Sequence, residues 1–274
     1  MPRRPNSMRH LDGAIRRIAG GSADGYIRLR TSMANAIVAQ MLPDGVVKGG
    51  SAMRMRLGAG NARYTTDLDT ATATDPKLYA EKLARSLAAG WEGFTGRVVE
   101  REPAAPRDVP SEYVMRPFDV KLSYLGKPWC TVPLEVGFDE IGDADSADWA
   151  DQADIAGAFE ELGFPAPGRV PLMTVPYQIA QKLHGLTGSG DRVRDLIDLQ
   201  LLVAATDPDL AEARKVCERL FAYRKLQEWP PRAVAREGWS ALYDSQAEGL
   251  PVITGLDDAI EWANGLIARI EAAG

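Results

Sequence analysis

Cysteine and histidine are nearly missing from this 274-residue chain, which holds only Cys130, Cys217, His10 and His184. Two isolated cysteines exclude a disulfide framework and a zinc knuckle, both of which need clustered thiols, and they suit a reducing compartment. So few histidines leave no basis for a Ser–His–Asp or Cys–His triad, and His184 reads as a packed or surface residue rather than a ligand. No apolar run approaches the roughly 20 residues that cross a bilayer. The opening MPRRPNSMRH is basic, but no apolar segment follows it, so no secretory signal is expected. These absences lead to the expectation of a soluble cytoplasmic protein with no membrane partner. Internal repeats and low-complexity segments are also missing.

What is present is ordinary for a globular protein: 45% apolar and 26% charged residues, enough for a substantial core in one or two domains. The net charge of −6 argues against indiscriminate nucleic-acid binding, but the charges are unevenly spread. Arg3, Arg4, Arg9, Arg16, Arg17, Arg28 and Arg30 face only Asp12 and Asp24 within residues 1–30, whereas residues 139–161 hold nine acidic residues and no Lys or Arg. This predicts one basic and one acidic face.

The chemistry concentrates in residues 46–69, VVKGGSAMRMRLGAGNARYTTDLD. A short β-branched run leads into Gly49-Gly50-Ser51, and a helix is expected from Ala52. The double glycine permits a tight turn and close approach to a ligand. The helix N-terminus after it presents unpaired N–H groups to an anion, so Gly50 and Ser51 are candidates for a phosphate cradle. On the following strand, Asp67 and Asp69 point to the same face, because side chains alternate. Two like charges so placed suit a divalent metal with oxygen ligands.

Around this stretch the pattern predicts helices over 8–19 and 24–42, ended by Pro43-Asp44-Gly45, and another from Asp75-Pro76 to Ala89. An exposed loop is expected over 102–110, and a hairpin over 113–138 turning at residues 125–128. In its second strand Glu135 is a lone acid among apolar residues and needs a partner. That partner is either a metal shared with the aspartates or a cation such as Lys121; Asp119 is the alternative third carboxylate. From about Gly168 onward the chain reads as mostly helical. There, Ala180-Gln181-Lys182-Leu183-His184-Gly185-Leu186 is followed, after a glycine-rich loop, by Arg194-Asp195-Leu196-Ile197-Asp198-Leu199. Asp195 and Asp198 fall on one helix face, within reach of a salt bridge to Lys182.

Gly-Gly-Ser, a helix and Asp-x-Asp resemble the signature of the polymerase-β-like nucleotidyltransferases. With the A-x-K-L-x-x-L and R-D-x-x-D-L segments in the right order, the chain resembles the AbiEii-type nucleotidyltransferase toxins, a group that includes the mycobacterial Men toxins. The matching motifs span roughly residues 46–202. The resemblance implies an α/β fold, a mixed sheet with flanking helices over 1–165, and a mostly helical region over 166–274 that completes the active site. It implies Mg²⁺ held by Asp67, Asp69 and Glu135, a triphosphate neutralised by Lys182, and Asp195 organising the site. It further implies NTP as substrate, the 3′ end of tRNA as acceptor, a consequent block of translation, and a cognate antitoxin as partner.

Overall fold

Serines start the first two helices. Ser7 and Ser22 each accept a backbone N–H three residues ahead, from His10 and Gly25, and so cap α1 (Met8–Ile18) and α2 (Ala23–Ala39). The structure, a computed structural model, describes residues 3–103 and 114–273. After the Pro43-Asp44-Gly45 turn come β1 (Val46–Lys48), α3 (Gly49–Leu57) and β2 (Leu68–Thr72). Asp75 accepts from the backbone of Lys77 and Leu78, with Pro76 in the first turn, to open α4 (Pro76–Ala89). Then follow β3 (Phe94–Glu100), β4 (Arg116–Tyr124), β5 (Lys127–Phe138), β6 (Asp148–Ala150), α5 (Ala153–Glu161) and β7 (Val170–Leu172). The remaining helices are α6 (Val175–Thr187), α7 (Val193–Thr206), α8 (Leu210–Arg224), α9 (Trp239–Ala247) and α10 (Leu256–Ala272).

The chain forms two compact units. One comprises Met1–Gly58, Tyr64–Asp139 and Trp149–Leu172; the other comprises Ala59–Arg63, Glu140–Asp148 and Met173–Gly274. The fold class agrees with the expected mixed α/β arrangement: the strands make one seven-stranded sheet in the order β3-β4-β5-β2-β1-β7-β6. β2 runs antiparallel to β1 and parallel to β5. One face of the sheet packs Leu68, Phe118, Val120, Leu134 and Val136 against Leu11, Ile15, Met33, Ile37, Leu83 and Phe159, all buried. Burying side chains of this size contributes roughly 1.5–3 kcal/mol each. The opposite face carries Arg97, Asp119, Lys121, Thr131 and Glu135, which are exposed or half-buried. In the other unit, Ile179, Leu183, Leu196, Leu199, Val216, Leu220, Leu266 and Ile270 are buried between helices.

Several boundaries differ from the sequence reading. The hairpin turns on two residues rather than four: Leu125 and Gly126 both have positive φ, 47° and 74°, and Tyr124 pairs directly with Lys127. A two-residue turn of that handedness matches the twist of the flanking strands. Residues 94–100, not read as a strand from the sequence, form β3. Gly96 breaks the apolar pattern there because a Cβ would lie 3.1 Å from both the Lys121 carbonyl oxygen and Leu87 Cδ2. Residues 102–103 are described as irregular chain, while 104–110 of the expected loop and Tyr113 lie outside the described residues.

Candidate active site

The first strand passes straight into the first helix of the motif. α3 begins at Gly49, three residues earlier than the pattern suggests, with Lys48 as its N-cap and no side chain capping the helix. The first-turn N–H groups, those of Gly50 and Ser51 among them, are therefore left for another acceptor. Gly49 has φ of 63°, and a Cβ there would run into the Asp69 carboxylate, with Cγ only 3.0 Å away. Ser51 donates its hydroxyl to the Asp67 carbonyl, tying α3 to the chain just before β2. The glycine thus serves both the backbone turn and the carboxylate. Gly49→Ala should cost about 1–2 kcal/mol through the left-handed backbone and displace Asp69. Denaturant titration together with a transfer assay checks this, the expected result being a loss of activity well beyond what the stability change explains.

Asp67 precedes β2, and its Oδ1 accepts from the Thr66 hydroxyl at 2.9 Å, the Thr66 N–H at 3.2 Å and the Thr65 hydroxyl at 3.3 Å. Asp69, within β2, pairs in register with Lys48 on one side and Glu135 on the other. Residues opposite one another in neighbouring strands share a face, so Lys48, Asp69 and Glu135 form one row across three strands. Asp119 lies one strand further out, opposite Pro133, and faces Arg101 at 3.8 Å. Lys121 sits opposite Thr131, four residues along β5 from Glu135. Lys48 was not singled out in the sequence. It is 9% exposed, and its ammonium occupies the slot left by Gly137, where a Cβ would stand 2.8 Å from Nζ. Its only local signal is a lysine directly before a double glycine.

Asp69 and Glu135 supply hard oxygen donors on one face, and Asp67 a third nearby, a donor set suited to Mg²⁺. The side chain that Gly49 lacks leaves the space the Asp69 carboxylate fills. Among the described residues no three such side chains converge on one point, and Asp67 Oδ1 is engaged by Thr65 and Thr66. The chemistry of these oxygen donors suits a hard divalent cation, with Asp69 and Glu135 on one face of the sheet.

The motif of the helical unit folds into a buried ion network. Lys182 Nζ is 2.6 Å from Asp198 Oδ2 and 3.4 Å from Asp195 Oδ1. Arg63 grips both oxygens of Asp198 at 2.9 and 3.0 Å, and Arg192 meets Asp195 at 2.7 Å. Lys182, Asp195 and Asp198 are 6%, 2% and 2% exposed, so these charges are held by each other rather than by water. Burial alone would push the Asp198 carboxyl up, but Lys182 and Arg63 outweigh it and hold it below the usual carboxylate range. Arg63, which lies four residues before Asp67, is committed to this network. His184 is packed: it stands edge-on to Phe221, its Nδ1 is 3.2 Å from Arg224, and burial followed by that guanidinium lowers it to about 4.

The amino-terminal arginines are partly neutralised. Arg4 pairs with Glu92, Arg28 with Asp24 at 2.7 Å, and Arg30 with Asp12 at 3.8 Å, while Arg16 lies 4.0 Å over the Tyr26 ring. The acidic stretch is drawn inward in places, as where Glu140 meets Arg224 at 2.7 Å.

Residues 31–263 match the family described as "Nucleotidyl transferase AbiEii toxin, Type IV TA system". The chain belongs to the AbiEii nucleotidyltransferase toxin family. Membership makes it a nucleotidyltransferase toxin of a type IV toxin–antitoxin system, with an NTP substrate and an antitoxin partner. Among solved structures, the nucleotidyltransferase toxin MenT4 from Mycobacterium tuberculosis shares the fold with a TM-score of 0.55 at 19% identity, over 96% of this chain and 97% of that one. JHP933 from Helicobacter pylori matches with a TM-score of 0.44 at 15% identity, over 88% of this chain and 89% of that one. No curated protein sequence matches the chain. Both AbiEii motif segments lie within the matched residues, and no described helix is long and apolar enough to cross a membrane.

Proposed function

We propose that this AbiEii-family chain transfers a nucleoside monophosphate from an NTP to the 3′ end of tRNA in a Mg²⁺-dependent reaction, and so blocks translation in the cytoplasm. The observation carrying the reading is the row of Lys48, Asp69 and Glu135 beside the uncapped N-terminus of α3. The N–H groups of Gly50 and Ser51 donate to phosphate oxygens, with the helix dipole favouring the anion. Asp67, Asp69 and Glu135 would hold the metal. When bound, the metal supplies Lewis-acid stabilisation of the charge growing on the α-phosphate and the departing pyrophosphate. A bond from the acceptor hydroxyl oxygen to the α-phosphorus forms as the bond to the α–β bridging oxygen breaks, pyrophosphate leaving with that electron pair and the hydroxyl proton passing to solvent water. Lys182 has three N–H donors, and Asp195 and Asp198 take two. The third donates to a triphosphate oxygen, with Asp195 and Asp198 fixing its direction.

The deciding experiment incubates the full chain with each labelled NTP, Mg²⁺ and total RNA, and separates the products on a gel. Label in the tRNA band is the expected result. Label on protein or on a small molecule, with RNA blank for all four NTPs, would replace tRNA as the acceptor.

A further inference from the structure

The exposed face of the sheet holds a cation pair that no carboxylate answers. Arg97 on β3 and Lys121 on β4 lie directly opposite one another. Like charges so placed are destabilising unless an anion lies between them. Among the described residues neither has an ion-pair partner; Asp119, the acid two positions from Lys121, is turned to Arg101 at 3.8 Å. Thr131 of β5 stands opposite Lys121, and Thr95 stands opposite Ser123. Alternation places all five side chains on the same face, where they line a cleft of ≈ 440 Å³.

We infer that this cleft binds the phosphate backbone of the acceptor RNA strand, an inference that rests on the RNA-acceptor reading above. A guanidinium, an ammonium and three hydroxyls are the side chains that contact phosphate oxygens. None of the five is aromatic or large and apolar, so the face offers a protein partner no apolar anchor. Trp129, which also lines the cleft, is only 5% exposed. Position supports the same occupant. Thr131 and Glu135 lie four residues apart on one face of β5, about 13 Å at about 3.3 Å per residue. A strand lying across the cleft therefore has only a few nucleotides to span before its end reaches the carboxylate row. Of the amino-terminal arginines, Arg4, Arg28 and Arg30 are held by Glu92, Asp24 and Asp12.

The test uses the full chain, its Arg97→Ala/Lys121→Ala double variant, and a fluorescently labelled single-stranded RNA carrying a tRNA 3′ sequence. Anisotropy is measured across salt concentrations. The double variant should bind about tenfold more weakly, with a salt slope shallower by about 0.7 for each phosphate it no longer neutralises. Its Tm should be equal or higher, since a repulsive pair is gone, and its affinity for NTP should be unchanged. RNA affinity and salt slope equal to wild type would overturn the inference, as would retained RNA binding with lost binding of an acidic partner protein. The outcomes separate the two readings. Wild-type protein that labels no RNA but loses oligonucleotide binding in the double variant keeps the cleft and refutes the acceptor. Wild-type protein that labels RNA while the double variant binds it normally does the reverse.

Discussion

Asp69→Ala is expected to reduce nucleotide transfer on the order of 10³-fold, the scale on which losing one preorganised electrostatic group at a site of developing charge is felt. Asp69 stands between Lys48 and Glu135 in the sheet, and its carboxylate fills the space that Gly49 leaves open. Removing it takes away a metal ligand and leaves Glu135 without its neighbour across the strands. The fold should survive. The row would go from two carboxylates and one ammonium to one of each, which relieves repulsion in the metal-free protein. Thermal melts without Mg²⁺ should therefore show an unchanged or raised Tm. Asp67→Ala should behave alike in transfer, although it also releases the hydroxyls of Thr65 and Thr66. Full activity in either variant, measured with labelled NTP, would remove the carboxylates from the mechanism; a lowered Tm would assign them to the fold instead.

Lys182→Met should cost the chain about 3–5 kcal/mol of unfolding free energy, because it leaves buried carboxylates short of a counter-charge. Asp198 would retain Arg63 and Asp195 would retain Arg192, but the group bridging them would be lost. Denaturant titration reads the loss directly. A cost below about 1 kcal/mol, the level of an exposed pair, would show that the network is solvated. The same network sets an acid limit. Asp198 is held below the ordinary carboxylate range of about 3.9. Its contribution is therefore complete above that value and is lost as pH falls through the lower, folded-state value. His184 acts in a different window. Unfolded, it takes up a proton near 6.5; folded, it resists until about 4. Stability should decline as pH drops between those values. His184→Asn should flatten the upper window and Asp198→Asn the lower one. An unaltered stability profile from neutral pH down to acid in both variants would refute these assignments.

Local spacing carried the motifs. Two aspartates separated by one residue share a face wherever a strand forms, and Asp195 and Asp198 share a helix face by the same kind of periodicity. The Gly-Gly-Ser stretch, the Asp67-x-Asp69 spacing and the lysine–aspartate motif could therefore be picked out as candidates without a fold, as could the helix start at Asp75-Pro76 and the hairpin, although β2 itself begins only at Leu68. Tertiary structure decided what those groups meet. The parallel pairing of β2 with β5 brings Glu135 opposite Asp69 and leaves Asp119 a strand away. Nothing local encodes that, because it joins segments far apart in the chain. Lys48 became visible only once Gly137 was seen to leave room for its ammonium.

The arginines show the same division. Their density near the amino terminus was plain in the sequence, but which of them remain available depends on where Asp12, Asp24 and Glu92 lie in space. Arg97 and Lys121 stand apart in sequence and form a pair only because β3 and β4 are antiparallel in that register. A charge's sign is a property of its residue, whereas its availability is a property of its neighbours. The sequence by itself determined which chemical groups this protein has and which of them share a face of one element; only the packing of strands and helices decided which of those charges are spent on each other and which face outward.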